Sequence, residues 1–306
     1  MRLIRPFTLA LAATLSLGAL AGCTPPAADR PLIVVTTNIL GDVVQNIVGG
    51  QAEVLTLMRP NSDPHSFEIS AQEAARILNA DLIVSNGLGL EEGLQHQLDA
   101  ADAAGVPMLA AGAVIDPLPY AAGTGSDTAD PHFWTDPARM IEVVDAVATA
   151  VQTDVAGADP AAIQAQAAAY TTELRALDAE MTTAFATIGA EHRNLVTNHH
   201  VFGYLADRFD FTVVGAVIPG GSTLAAPSAS DLQGLVDAID AAGVNTIFAE
   251  SSQPDRLVQV LADEAGLDVA VVELFTESLS EPGAGAGSYL TMMRTNTERI
   301  ATGLSP

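Results

Sequence analysis

The chain has 306 residues, with 37 acidic and 12 basic side chains and a formal net charge of −25 at pH 7. Every basic residue is an arginine. A chain this acidic has no basic surface to neutralise phosphates, so nucleic acid is not expected as a partner. The length suits two domains, and an aromatic content of 5% with abundant alanine favours a helix-rich α/β protein over a β-sandwich.

The first 23 residues have the features of an export signal. Arg2 and Arg5 precede an uninterrupted run of apolar and small residues that ends at Cys23, the only cysteine of the chain. This run is too short for a membrane span. Its end, "LAGC", resembles a bacterial lipobox, in which the cysteine is lipidated. Cys23 is therefore the predicted lipid anchor, residues 24–31 are the predicted tether, and the protein is expected outside the cytoplasm, either in the periplasm or at the cell surface.

From Leu32 onward, short apolar β-branched runs alternate with amphipathic segments. The first half of the chain predicts strands at "LIVVTTN", "EVLTLM" and "DLIVSNGLG", each followed by a helix. Ser70 and Glu73 have the spacing of a capping box, and Asp136 followed by Pro137 marks the start of a further helix. This alternation is typical of a parallel sheet with helices on its faces.

A long helical pattern divides the chain. The stretch from Asp159 to about Ile188 has no internal glycine or proline and predicts a helix of roughly 29 residues, about 43 Å long. Four more predicted strands alternate with helices after it. The sequence therefore predicts two parallel-sheet α/β lobes, at 32–157 and 190–306, joined by a backbone helix at 158–189. A ligand cleft is expected between the lobes, because ligands bind at the carboxyl ends of parallel strands.

Two histidines share a local motif in the first lobe. His65 and His132 each follow Asp-Pro, precede aromatic residues and lie between a predicted strand and a predicted helix start. Neutral imidazoles suit Zn²⁺, and added oxygen ligands shift the preference toward Mn²⁺ or Fe²⁺. Two such loops in one lobe indicate a shared metal site, with Glu68 as a candidate neighbour of His65. His96 and His192 lie in polar stretches and are expected at the surface.

A histidine doublet occurs in "LVTNHHVFGYLADRF". If this stretch is read as the first turns of a helix, the apolar stripe of Phe202, Leu205 and Phe209 extends back to His199. His200 falls on the polar side. His199 is therefore predicted to face the cleft, and His200 is a candidate neighbour of the ligands.

These motifs together resemble the solute-binding lipoproteins of zinc and manganese ABC importers. The resemblance rests on the lipobox, on "DPHSFE", "DPHFWTDP" and "HVFGY", and on the long central helix, and it covers nearly all of the chain. It implies that His65, His132 and His199 bind the metal. It also implies a monomeric receptor, not an enzyme, that delivers the ion to an ABC permease with its ATPase. Some proteins of this kind are also described as surface adhesins.

The fourth ligand does not follow directly from the resemblance. The family typically has an aspartate in a G-D-S/T-Y motif before the last helix, and Gly287 stands at that position in "GAGAGSY". Glu250, at the end of a predicted strand, is the first candidate to replace it. Glu277, Glu281, water and a bound anion are the alternatives.

The choice of metal and of function class rests on the donor atoms. Three imidazoles favour zinc over manganese, so a Zn²⁺ receptor is the preferred reading, with a manganese or iron receptor as the alternative. The missing histidine-rich loop at 117–130, which many zinc members carry, removes one indication of zinc without favouring manganese. A zinc-dependent hydrolase also uses three histidines and an open position, but ligands from two lobes favour enclosure over substrate access.

Overall fold

The computed structural model of the chain describes residues 30–120, 128–218, 223–224, 227–252, 258–259, 262 and 269–305. Cys23, most of the predicted tether and most of the helix predicted at 251–266 lie outside the described residues. Within the described part, no helix combines the length and the apolar character needed to cross a membrane.

The first four strands form one parallel sheet with the order β2-β1-β3-β4. Its strands are β1 (Leu32–Val35), β2 (Glu53–Thr56), β3 (Leu82–Ser85) and β4 (Met108–Ala110). The helices between them are α1 (Asn38–Val48), α2 (Ala71–Ile77) and α3 (Gln95–Ala103). The sequence did not predict β4, because three half-buried residues are too few to show a period.

The last four strands form a second parallel sheet with the order β6-β5-β7-β8. Its strands are β5 (Asn194–His199), β6 (Thr212–Ile218), β7 (Thr246–Glu250) and β8 (Ala270–Leu274). The described helices that accompany it are α6 (Gly203–Phe209), α7 (Ala229–Ala242) and α8 (Tyr289–Gly303). In both sheets the first strand lies between the second and the third, so the direction of the crossovers reverses there. Ligand sites in open α/β sheets form at such reversals.

Local sequence signals set the helix starts. Ser70 and Glu73 form the predicted capping box at the start of α2. Two long helices, α4 (Pro137–Asp154) and α5 (Pro160–Phe185), both begin with Asp-Pro, and each aspartate accepts a hydrogen bond from the backbone two residues later. The proline has no N–H to leave unpaired in the first turn, so it suits this position.

Helix α5 braces the two halves of the chain. It has 26 residues, slightly fewer than predicted, and one of its faces is buried along its whole length. Near its beginning Gln166 approaches Gly49 at the end of α1, and near its end Glu180 pairs with Arg294 of α8 at 2.7 Å. A single apolar core includes residues of both sheets, among them Ile33 and Phe248. The predicted architecture of two parallel-sheet lobes and a long joining helix is therefore confirmed, and the exact lobe boundaries stay a prediction.

Asp136, the cap of α4, is a buried carboxylate. Its Oδ1 accepts the N–H of Ala138 at 2.8 Å. Burial raises the pKa of Asp136 from 3.8 to about 6, although the Ala138 N–H and the nearby Arg208 and Arg139 act in the opposite direction. Between these two pH values the folded protein holds a proton that the unfolded chain has lost. This group therefore lowers the stability as the pH rises through that interval.

Asp136→Asn keeps the helix cap, because asparagine and aspartate cap equally well, and it removes the buried charge. We expect the variant to match the parent protein closely in free energy of unfolding near pH 4 and to exceed it by about 3 kcal/mol at pH 7. Urea unfolding across this pH range measures the difference. Asp159→Asn, at the exposed cap of α5, is the control, and an equal gain there would contradict the explanation.

Candidate metal centre

Four buried side chains meet at one place, and each lies at or beyond the carboxyl end of a different strand. His65 lies in the loop after β2, His132 in the loop after β4, His199 ends β5, and Glu277 lies three residues after β8. One ligand atom from each lies within 4.8 Å of those of the other three. Because parallel strands present their carboxyl ends at one edge, the two sheets deliver all four side chains to the same place.

The two Asp-Pro-His motifs adopt the same local structure. Asp63 Oδ1 accepts the backbone N–H of His65 at 2.8 Å, and Asp130 Oδ1 accepts that of His132 at 2.9 Å. An aspartate side chain that accepts the backbone N–H two residues later forms an Asx-turn. The proline between the two residues fixes its own φ angle. Each motif therefore holds its histidine in a defined position without help from a helix or strand.

Three ring nitrogens converge on one carboxylate oxygen. The Nε2 atoms of His65, His132 and His199 lie 3.0, 3.2 and 3.2 Å from Glu277 Oε1. In a tetrahedral zinc site with metal–ligand bonds of about 2.0 Å, two ligand atoms lie about 3.3 Å apart. Within the described part of the chain, Glu277 Oε2 has no hydrogen-bond partner, and His132 Nε2 and His199 Nε2 have none apart from their 3.2 Å approach to Glu277 Oε1. Buried polar atoms are rarely left unpaired, and these ones suit a divalent cation at their centre.

Carboxylates behind two of the histidines orient their rings. Asp130 Oδ1 lies 2.7 Å from His132 Nδ1, and Glu250 Oε2 lies 2.7 Å from His199 Nδ1. Glu250 is itself held by a hydrogen bond of 2.8 Å from the amide of Asn198. A carboxylate at one ring nitrogen keeps the proton there and turns the lone pair of the other nitrogen toward the centre.

The charges of the site balance one another. Burial acts to raise the pKa of Glu277, but His199 and the other two histidines outweigh it and hold this pKa well below its usual value. Burial acts to lower the pKa of His199, but Glu277 and Glu250 raise it well above the ordinary value. The pKa of His132 is raised in the same way by Asp130 and Glu277 against the effect of burial. The cluster therefore favours positive charge at its centre, whether as protons on the rings or as a metal ion.

The segment that carries Glu277 is fastened to the first half of the chain. Trp134 Nε1 donates a hydrogen bond of 2.7 Å to the carbonyl of Thr276. The side chain of Asn38 makes two further hydrogen bonds to the segment 276–279, at 2.8 and 2.9 Å. Asn38 is the first residue of α1, and Trp134 follows the second Asp-Pro-His motif. Glu277 thus follows a strand of the second sheet but is positioned by residues next to the first.

Comparison with known proteins agrees with this site. Residues 33–303 match the family described as zinc-uptake complex component A, periplasmic. The chain belongs to this family. It is 32% identical over 307 residues to the zinc-binding protein TroA of Treponema pallidum, covering 96% of this chain and 97% of TroA. The solved TroA structure superposes with a TM-score of 0.83 at 30% identity, covering 90% of this chain and all of that one.

Two further relatives carry the names of other metals. The manganese-binding lipoprotein MntA of Halalkalibacterium halodurans is 28% identical over 276 residues, covering 89% of this chain and 88% of MntA. The iron-binding protein YfeA of Yersinia pestis is 29% identical over 300 residues, covering 97% of this chain and 94% of YfeA. The chain is therefore a metal solute-binding protein of the ABC-importer class, and members of this family are receptors, not enzymes.

The fourth position of the cluster differs from the one first expected. Glu250 lies behind His199 because its strand, β7, ends next to β5 and directs the carboxylate to Nδ1 of that ring. Gly287 lies outside the cluster, next to the cap of α8, where an added Cβ would be 3.2 Å from Pro282. Glu277, one of the alternatives, takes the fourth place. A carboxylate shortly after a strand was the sequence signal for it, but Glu250 gave the same signal.

Of the two histidines of the doublet, His199 is in the cluster and His200 is not, as the sequence predicted, but the reason is different. His199 ends strand β5, and α6 begins only at Gly203, so the helical stripe did not describe the local structure. His200 lies outside the cluster, with its ring 5.6 Å from that of Tyr120. Glu68 also lies outside the cluster and is exposed.

Asn38→Ala tests the attachment of the Glu277 segment. The change removes hydrogen bonds to the segment 276–279 and leaves buried polar groups unpaired. We expect a loss of about 1–3 kcal/mol in the free energy of unfolding, together with weaker metal binding, because Glu277 loses its support. Asn46→Ala, at an exposed position of the same helix, is the control and should change neither. Chemical unfolding and metal titration measure the two effects, and equal behaviour of both variants would contradict the role of Asn38.

Proposed function

We propose that this chain captures Zn²⁺ outside the cytoplasm and delivers it to an ABC permease and its ATPase. His65, His132, His199 and Glu277 are the proposed ligands. The observation that carries the proposal is the convergence of three buried Nε2 atoms on Glu277 Oε1 at 3.0–3.2 Å. Family membership supports the transport role, since residues 33–303 match a zinc-uptake component.

Zinc is preferred because of the donor set. Three imidazole nitrogens and one carboxylate oxygen suit Zn²⁺, whereas sites for manganese bring more oxygen. The names of the relatives do not decide the question, since they include zinc, manganese and iron. Manganese is the second candidate, because Glu277 Oε2 is unpartnered among the described residues and offers a second oxygen.

The proposed location and partners follow from the N-terminal sequence and the family. An export signal ending at Cys23 and a relative named as a lipoprotein support a receptor that a lipid at Cys23 holds on the membrane. We propose that this receptor acts as a monomer. This lipid is the membrane attachment that we propose. Nucleic acid is not among the proposed partners.

The histidine doublet provides a matched test of the site. Purified protein is expected to bind one Zn²⁺ per chain and to prefer it over Mn²⁺ in competition titrations with elemental analysis. His199→Ala removes one proposed ligand and should lower the zinc affinity by at least about a hundredfold, since each lost ligand bond is worth several kcal/mol. His200→Ala, one residue away, should leave stoichiometry and affinity unchanged.

Two outcomes would contradict these assignments. Loss of binding in His200→Ala with normal binding in His199→Ala would reverse the roles of the two histidines. Preferential binding of Mn²⁺ by the unaltered protein would replace zinc with the second candidate while keeping the receptor function.

The carboxylates of the cluster give a second graded test. Glu277→Ala removes a proposed ligand and is expected to weaken zinc binding more than Glu250→Ala does. Glu250→Ala removes a group behind His199 and should weaken it by about ten- to a hundredfold. Glu281→Ala, at an exposed position four residues after Glu277, should have no effect. The three affinities are measured by competition with a zinc chelator, and a larger loss for Glu250 than for Glu277 would make Glu250 the ligand.

A further inference from the structure

His65 differs from the other two histidines at its second ring nitrogen. Nδ1 of His132 and of His199 each lies 2.7 Å from a buried carboxylate. Nδ1 of His65 has no carboxylate at such a distance: it is buried, lies 4.0 Å from Glu92 Oε1 and has no hydrogen-bond partner within the described residues. If Nε2 of His65 binds the metal, Nδ1 must carry the proton, and that N–H then lies buried without an acceptor. An unpaired buried donor is costly, so an acceptor for it is to be expected nearby.

Glu92 is the carboxylate nearest to this nitrogen in the described structure. Its Oε1 lies 4.0 Å from His65 Nδ1, about 1 Å beyond the length of an ordinary hydrogen bond. Its side chain is 48% exposed, and it forms no other ion pair with a described residue. The carboxylate is therefore free to rotate toward the ring at little energetic expense.

The backbone at Glu92, in contrast, is fixed against the His65 loop. The preceding residue, Glu91, is buried and accepts hydrogen bonds of 2.6 Å from Thr36 Oγ1 and from the backbone N–H of Asn86. The following residue, Gly93, packs so closely that an added Cβ would lie 2.9 Å from the carbonyl oxygen of Phe67. Glu92 is thus held at a set distance from His65 while only its side chain can move.

We propose that Glu92 is a positioning residue that accepts the Nδ1–H of His65 when the metal binds at Nε2. The inference rests on the proposed function, because it takes His65 as a ligand. Each of the three histidines then has its own carboxylate: Asp130 for His132, Glu250 for His199 and Glu92 for His65. Two of these partners are buried and in place, whereas the third is at the surface and completes the arrangement only as the ring is fixed.

The test compares Glu92 with an exposed acid of the His65 loop. Glu92→Ala is expected to weaken zinc binding by about ten- to a hundredfold, the usual effect of removing an outer partner of a metal-bound histidine. Glu92→Gln should lose less, because its amide oxygen still accepts the N–H. Glu68→Ala removes the same charge and should change the affinity by less than about twofold, which separates a specific contact from a general loss of negative charge. Chelator competition on the purified protein gives the affinities.

A spectroscopic readout reports on the ring itself. In zinc-loaded protein with ¹⁵N-labelled histidine, the Nδ1–H of His65 should be a slowly exchanging signal that shifts in Glu92→Gln and exchanges rapidly in Glu92→Ala. The melting temperatures of the metal-free variants should match that of the parent protein, because the Glu92 side chain is half exposed.

The outcomes separate this inference from the proposed function. If the parent protein binds zinc and His199→Ala does not, but Glu92→Ala binds as tightly as the parent, the receptor function stands and the role of Glu92 is refuted. If Glu68→Ala weakens binding as much as Glu92→Ala, the role of Glu92 is likewise refuted. If the parent protein binds no transition metal, the proposed function itself fails.

Discussion

The structure depends on the meeting of three imidazole nitrogens at one buried carboxylate oxygen. Burying Glu277 among uncharged groups would be unfavourable, and burying three imidazoles with unpaired nitrogens would be unfavourable as well. At 3.0–3.2 Å the negative carboxylate attracts positive charge to the three rings, and this attraction offsets the loss of water around all four groups. The two sheets, the reversal of their crossovers and the turns at the strand ends all bring these groups to one point. A fold with a single sheet would offer only one such edge.

The contacts around the cluster cross the boundary between the two lobes. Glu277 follows a strand of the second sheet, yet Trp134 and Asn38, both next to the first sheet, hold its segment by hydrogen bonds. His199 is the one member of the cluster that lies within a strand of the second sheet, and Glu250 of the neighbouring strand supports it. The cluster therefore contains residues held by both lobes, and the long helix α5 packs against both halves of the chain.

The sequence predicted the parts of this site that local structure controls. The Asp-Pro-His turns are closed by residues two positions apart, so His65 and His132 could be identified from short motifs. His199 was identified through a helical pattern, although it belongs to a strand. The fourth position could not be chosen from the sequence, because both Glu250 and Glu277 follow strands. What separates them is the hydrogen bonding of Asn38 to a segment 240 residues away, and no local pattern contains that contact.

The same charge balance explains why such a site can bind a cation tightly. The pKa of Glu277 is held low by the histidines, and the pKa values of His132 and His199 are raised by the carboxylates around them, so the cluster favours positive charge next to Glu277. In the proposed function a divalent ion takes a place that the carboxylates already surround, so little rearrangement is needed, and preorganisation of this kind strengthens binding. Asp130 and Glu250 already hold two of the rings, those of His132 and His199. Both of these carboxylates are buried, so the contact proposed between Glu92 and His65 is the one that side-chain movement at the surface can still adjust.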